Sequence, residues 1–298
     1  MASIFWSLPG WLAQDRVQGD WWALDPVVPP VDEPVTIMDV KVQARVDLST
    51  RDDVSIAGFL VAARMMVEKL TNRSLLPQTW SLSLQQWPTD RILLPRAPLR
   101  GVDEVAWTNI NEESFPMEPS RYDVNLSGDP GSVVLRFGQI WPPEPLSPSA
   151  PIKVRFQAGY DRFAGLAAIA QDGVTLTASG SPVTPFDVKW TANQSIVVGG
   201  VSHVISRVVS PEQLVIYPAS NSAGGTVAWS VNLVPAPLRL AILLLASHWF
   251  GPGRTPVLVG RGVTSADVSL TVKRLIQDYR INIMGFRQVR SQGAPYWP

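Results

Sequence analysis

The chain has 298 residues, 46% of them hydrophobic, and its 25 Lys plus Arg are matched by 25 Asp plus Glu; this is material for about two folding units, not for a disordered chain. Zero formal charge excludes a protein that works mainly by gripping nucleic-acid phosphates, though not a neutral channel through which DNA passes. The absence of cysteine excludes disulfides, thiolate metal sites and thiol nucleophiles, and the chain reads as soluble and made in a reducing compartment.

The opening Met1–Gly10 lacks the basic start and sustained apolar run of a secretory signal. Four of the 12 tryptophans, Trp6, Trp11, Trp21 and Trp22, precede the stretch Asp25-Pro-Val-Val-Pro-Pro-Val-Asp-Glu-Pro34. Such proline density favours extended polyproline II backbone over a packed element, so residues 1–34 read as an arm. Its indoles either fold back on their own domain or dock on a neighbouring subunit or partner, where Trp is a favoured anchor.

Thr36-Ile-Met-Asp39 has the form of a helix start, with Thr as N-cap and an acid three residues on. That helix is short and ends near Arg45-Val-Asp-Leu48. Ser49-Thr-Arg-Asp-Asp53 opens a longer one, whose Ile56, Phe59, Leu60, Ala63, Val67 and Leu70 follow the three–four spacing of one buried face, ending at Thr71-Asn-Arg-Ser74. A β-rich block follows. Trp80, Leu82 and Leu84 alternate with Ser81, Ser83 and Gln85, and 91–95, 102–107, 122–126, 132–137 and 152–156 continue the pattern. Gly128-Asp-Pro-Gly131 is a turn, and Trp141–Pro151, with its five prolines, is expected to be an exposed, stiffened excursion.

The strand ending in Ile152-Lys-Val-Arg-Phe-Gln-Ala-Gly-Tyr160 should lead to an apolar helix, yet that helix begins only at Val234. Between them lies a β-type segment with its own turns, Ala164 to Asn232, carrying five short strands at 173–178, 195–198, 201–209, 213–217 and 226–231. This predicts a small barrel or sandwich spliced into a loop of a host domain. Pro235 and Pro237 suit the entrance of the delayed helix. In that helix Leu238, Ile242, Leu245 and Trp249 form one stripe, while Leu240, Leu243 and Leu244 cover other faces, so its own domain or neighbouring subunits must enclose it. A last helix after Ser265 places Val268, Val272, Leu275 and Tyr279 on one face and gives way to a tail, 284–298. The fold class is therefore α+β: a helical core and β-rich block at 35–163 and 234–283, with an inserted all-β domain at 164–233.

Constellations for chemistry are missing. His203 lies on a predicted strand and His248 in an apolar helix, neither near a Gly-x-Ser-x-Gly elbow, and both read as core or interface histidines. Asp52-Asp53 and Glu112-Glu113 fall at a helix entrance and in a loop, where carboxylates are ordinary. Gly199-Gly200 and Gly224-Gly225 suit hairpin turns, not phosphate loops. No catalytic, cofactor-binding or metal residue is assigned, and no cofactor is expected. Arg96, Arg100, Arg280, Arg287 and Arg290 are a solvated surface or a basic contact that lines a channel without reading sequence.

With the splice removed, the order of parts resembles the head–tail connector (adaptor) proteins of long-tailed double-stranded DNA bacteriophages and gene transfer agents. The resemblance is carried by Asp39-Val-Lys-Val-Gln-Ala-Arg-Val-Asp47 with Asp52-Asp53, Ala62-Ala-Arg-Met-Met-Val-Glu-Lys-Leu-Thr-Asn-Arg73, Gln78-Thr-Trp-Ser-Leu82 and Ile92-Leu-Leu-Pro-Arg-Ala-Pro-Leu-Arg-Gly-Val102. It continues through Val154-Arg-Phe-Gln-Ala-Gly-Tyr160, the helix 234–250 and Leu275-Ile-Gln-Asp-Tyr-Arg280, covering 36–163 and 234–281. The Trp-rich arm and the β splice lie outside it. The resemblance implies a non-enzymatic virion subunit in a ring of twelve copies beneath the portal. Such a ring passes double-stranded DNA through its lumen, offers a platform to the next neck or tail protein, and has no membrane role. On that reading Tyr279, Arg280, Met284, Phe286, Tyr296 and Trp297 form a portal-docking tail. Trp6, Trp11, Trp21, Trp22, Leu240, Leu244 and Trp249 are candidates for the arm or ring interface. Competing readings are a stopper or terminator of the same neck, a glycan-binding β-module with exposed Trp platforms, and an enzyme.

Overall fold

In the computed structural model, which describes residues 22–179, 186, 187, 190, 194–250 and 270–281, the chain divides into two units: 22–29 with Gln78–Ala158, and Pro30–Pro77 with 159–281. The class is α+β, with antiparallel sheets, helices and a closed barrel.

The first unit contains β1 (Trp22–Val28), β2 (Gln78–Leu84), β3 (Arg91–Leu94), β4 (Leu99–Thr108), β5 (Ser114–Pro116), β6 (Tyr122–Asn125), β7 (Gly131–Leu135) and β8 (Ile152–Ala158). They make one five-stranded sheet, β1-β2-β8-β4-β5, and one three-stranded sheet, β3-β7-β6. Alternation places the core. On β8, Ile152, Val154, Phe156 and Ala158 are buried while Lys153, Arg155 and Gln157 face out. Trp80 lies opposite Phe156, and Leu82 opposite Val154. Residues 22–28, expected as extended polyproline II backbone, form an edge strand paired to β2, so this described part of the arm folds back on its own unit; an edge position leaves one side of the backbone unpaired and so tolerates Pro26. The Trp141–Pro151 loop is exposed at Pro143, Glu144, Pro145, Pro148 and Ser149, as expected, and is also tied down. Trp141 stacks on Trp87 (centroids 4.8 Å apart), Trp107 Nε1 donates to Glu144 (3.1 Å), and Ser147 N bonds Thr108 O (3.0 Å).

The second unit joins α1 (Ile37–Ala44), α2 (Asp53–Thr71), the strands β9 (Arg162–Ile169), β10 (Thr175–Ser179), β11 (Ser195–Val198), β12 (Val201–Ser210), β13 (Gln213–Tyr217) and β14 (Thr226–Asn232), then α3 (Ala236–Phe250) and α4 (Leu270–Gln277). Thr36 and Asp39 form a reciprocal capping box, Asp39 N donating to Thr36 Oγ1 (3.2 Å) and Thr36 N to Asp39 Oδ2 (3.0 Å). Arg45 and Asn72 end α1 and α2 in the left-handed region. Helices from both sides of the β segment share one core: Val40, Ile56, Leu60 and Val67 pack with Leu238, Ile242, Leu245, Val272 and Ile276. The segment after α4 closes on α2, where Ile281 N bonds Thr71 O (2.9 Å) and Asn72 Nδ2 bonds Ile281 O (2.9 Å).

The β segment is a closed six-stranded barrel, in the order β10-β13-β12-β11-β14-β9. The sequence shows five of these strands. The sixth, β9, is Arg-Phe-Ala-Gly-Leu-Ala-Ala-Ile, whose small residues carry little strand signal. Packing explains one of them. Gly165 stands opposite Trp229, and a Cβ there would lie 3.2 Å from the buried indole.

Gly159 is the most constrained glycine. Its φ is +128°, and a Cβ would overlap the Leu76 carbonyl where the chain re-enters the second unit. Gly159→Ala is expected to cost about 1–3 kcal/mol from backbone conformation alone, with the overlap added. Urea unfolding of the variant beside the parent chain measures it, and a loss below about 0.5 kcal/mol, the size of a neutral surface change, would refute this account.

Candidate functional site

Within the second unit the helices and barrel are joined by polar ties that sequence reasoning did not assemble. Asp39, already in the capping box, accepts from Ser202 Oγ at the β11–β12 hairpin (2.7 Å). Asp32 pairs with Arg162 at the start of β9. Arg239 Nε donates to Pro34 O (3.2 Å), and burial pulls its guanidinium below the usual arginine range. Lys41 is buried and pairs with Asp53 while donating to Ser49 O (2.6 Å), which locks the α1–α2 connection.

The strongest of these clusters centres on Arg64. Its Nε bonds both oxygens of Glu33 (3.1 and 2.9 Å) and its Nη1 bonds Glu68 Oε2 (2.8 Å). Glu68 Oε1 takes the Leu75 N–H (2.9 Å), holding the turn that ends α2. Burial raises the Glu33 carboxyl above its ordinary value, and Arg64 offsets only part of that. Beside this cluster an open cleft of about 480 Å³ is lined by Ala57, Val61, Arg162, Trp229 and Asn232, among others. Its charged groups are already paired, Asp32 with Arg162 and Glu33 with Arg64, so it offers no acid–base couple. Among the described residues no group of three or more His, Asp or Glu is placed to hold a metal ion, and no helix is long and apolar enough to cross a membrane.

The residues singled out from sequence fall in different places. Tyr279 packs half-buried on the helical core, and its carbonyl accepts from Arg73 Nε (2.6 Å); Arg280 beside it is exposed. Leu244 and Trp249 are half-buried against the same core, whereas Leu240 is 42% exposed. Trp22 lies on β1 in the other unit. Met284, Phe286, Tyr296, Trp297, Trp6, Trp11 and Trp21 lie outside the described residues, as do Arg287 and Arg290. Arg96 sits over the Trp80 ring (5.0 Å). His203 is buried, with Nδ1 2.8 Å from Pro218 O, in keeping with a core histidine. His248 is exposed on α3, so it is no core residue; only an interface role remains open to it. Sequence reasoning missed the outward face of α2. Val54, Val61 and Met65 are exposed there, and their spacing was the available signal.

No protein-family model matches the chain, and no curated protein matches it. Solved structures do. A chain from the neck of an empty gene transfer agent (GTA) particle, computed with C6 symmetry, aligns with a TM-score of 0.52 at 16% identity, covering 87% of this chain and 96% of that one. A chain from the virion of the native GTA particle aligns with a TM-score of 0.48 at 16% identity, covering 87% and 95%. The first alignment shows a shared fold.

Replacing Arg64 with Met would leave Glu33 and Glu68 buried together without their cation. The expected loss at pH 7 is about 3 kcal/mol, the lower end for a broken buried pair because Glu33 is partly exposed. A carboxyl raised above its ordinary 4.5 binds more protons folded than unfolded between 4.5 and its raised value, so folding gains stability as pH falls through that window. Without Arg64, which holds the Glu33 carboxyl down in part, that carboxyl rises further, so the variant gains more than the parent as pH falls and the deficit of Arg64→Met should shrink from pH 7 towards pH 5 in denaturant titrations. A constant deficit would refute the carboxylate account.

Proposed function

We propose that this chain is a non-enzymatic structural subunit of the neck of a GTA-like or phage-like particle, and within it the head–tail connector (adaptor). Twelve copies form a ring beneath the portal, DNA passes through the lumen, and the free side receives the next neck or tail protein. The observation that carries this reading is the fold shared, across 87% of the chain, with a component of a GTA neck. Three features support it. The sequence resembles connectors over 36–163 and 234–281. The two helical stretches flanking the barrel build one core. The described tryptophans other than Trp22 are buried or half-buried, which disfavours a glycan platform.

On this proposal the tail beginning at Tyr279 and Arg280 and running through Met284, Phe286, Tyr296 and Trp297 engages the portal. Truncation after Ile283 spares the anchor of Ile281 on Thr71 and Asn72, so the monomer should unfold within about 0.5 kcal/mol of the full chain. The same truncation should abolish joining of heads to tails. Truncated particles that still retain DNA and receive tails would overturn the tail assignment. An image of the particle with this chain one layer below the portal contact would make it a stopper instead.

A further inference from the structure

Helix α2 has two apolar faces, and its own fold uses one. Ile56, Leu60, Ala63 and Val67 are buried in the helical core. Val54, Gly58, Val61 and Met65 follow one another at spacings of four, three and four, which aligns them along a second side of the helix. This stripe is open to solvent, with Val54 87%, Met65 58% and Val61 39% exposed. Arg64 and Glu68 are buried and paired with each other, so from Val54 to Met65 the exposed side of α2 carries no charge; Asp53 precedes it and the exposed Lys69 lies one turn beyond Met65 on the same side.

Gly58, at the centre of the stripe, has no explanation among the described residues. Its φ is not positive, and a Cβ built on it would meet nothing within 4 Å. Glycine is the poorest helix former after proline, so in a lone molecule alanine would serve better. A bare backbone at the middle of an apolar stripe is a gap into which a facing side chain fits, and small residues at a helix contact bring the two axes closer.

We infer that this stripe docks on α3 of a second copy of the chain; the inference rests on the ring reading above and names its contact. The absence of charge on the stripe gives nothing for nucleic acid or an acidic partner to grip. The chain itself supplies a matching surface: α3 has Leu240 42% exposed, Leu243 and Leu244 half-buried, and no exposed charge before His248. Arg239, the cation on that helix, is turned to Pro34 O. Leu240 is the knob and the Gly58 gap the hole. Two different faces meeting from copy to copy is the heterologous contact that closes rings. The stripe exposes on the order of 300 Å² of apolar side chain, the lower end of the largest patch a monomer commonly carries, and such patches are often functional.

The test uses the purified full-length chain and follows its assembly against concentration by mass photometry, with circular dichroism to follow folding. Gly58→Ala should raise the melting temperature. Gly58→Trp and Met65→Glu should weaken assembly at least about 30-fold, the effect of losing one hot-spot contact, while melting near the parent chain. If Gly58→Trp assembles as the parent does, the docking is overturned and the ring reading stands. A parent chain that stays monomeric at every concentration, in particles that show no ring of it, sinks both. The chain has no cysteine, so Met65→Cys and Leu240→Cys chains can be mixed under oxidation. Disulfide dimers that form only in the mixture support the α2–α3 contact, and dimers from Met65→Cys alone overturn it.

Discussion

Between α2 and α3 the chain makes two β excursions, each of which begins and ends with strands that pair with each other, and the helical core depends on that. In the first unit β2 and β8 run antiparallel from Gln78 opposite Ala158 to Leu84 opposite Ile152. In the barrel, β9 and β14 run antiparallel from Arg162 opposite Asn232 to Ala168 opposite Thr226. A long excursion normally charges the host with the entropy of bringing its ends together. Here the excursion's own sheet fixes those ends side by side, so α1 and α2 can meet α3 and α4 as if the intervening residues were a short turn. The bond from Leu233 N to Asp161 O (2.9 Å) closes the barrel's stem, and Gly159 lets the chain pass the Leu76 carbonyl.

Within the second unit this arrangement holds helices and barrel in one geometry. The core helices hold one another through Leu60, Val67, Leu238 and Ile242, and Asp39, Arg64 and Arg162 tie further segments to them with charge-assisted bonds. Such buried ties add little net stability, but they are severe when half-broken, and so they favour one geometry over its neighbours. The surface left over is then informative. Among the described residues one apolar face of α2, with Gly58 at its centre, is left uncovered.

How legible all this was from the sequence varied with how local the cause is. The Thr36–Asp39 cap, the 3.6-residue period of Ile56 to Val67, the alternation of β2 and β8 and the Gly199-Gly200 turn are set by residues within one or two turns of each other, and they read correctly. Strand β9 did not, and its Gly165 makes room for Trp229, more than 60 positions away. The anchoring of the loop at Trp141 did not read either, because proline density is a local signal, whereas stacking on Trp87 is not.

The sequence by itself therefore determined the element types and the α+β class, since both follow from short-range spacing or from composition. Tertiary structure decided that the barrel closes, that Lys41 and Arg64 are buried and paired, that His248 faces out, and which of the two apolar faces of α2 is used up. Those outcomes depend on which distant side chain arrives opposite a given one, and hydrophobic burial has no direction along the chain from which that could be read.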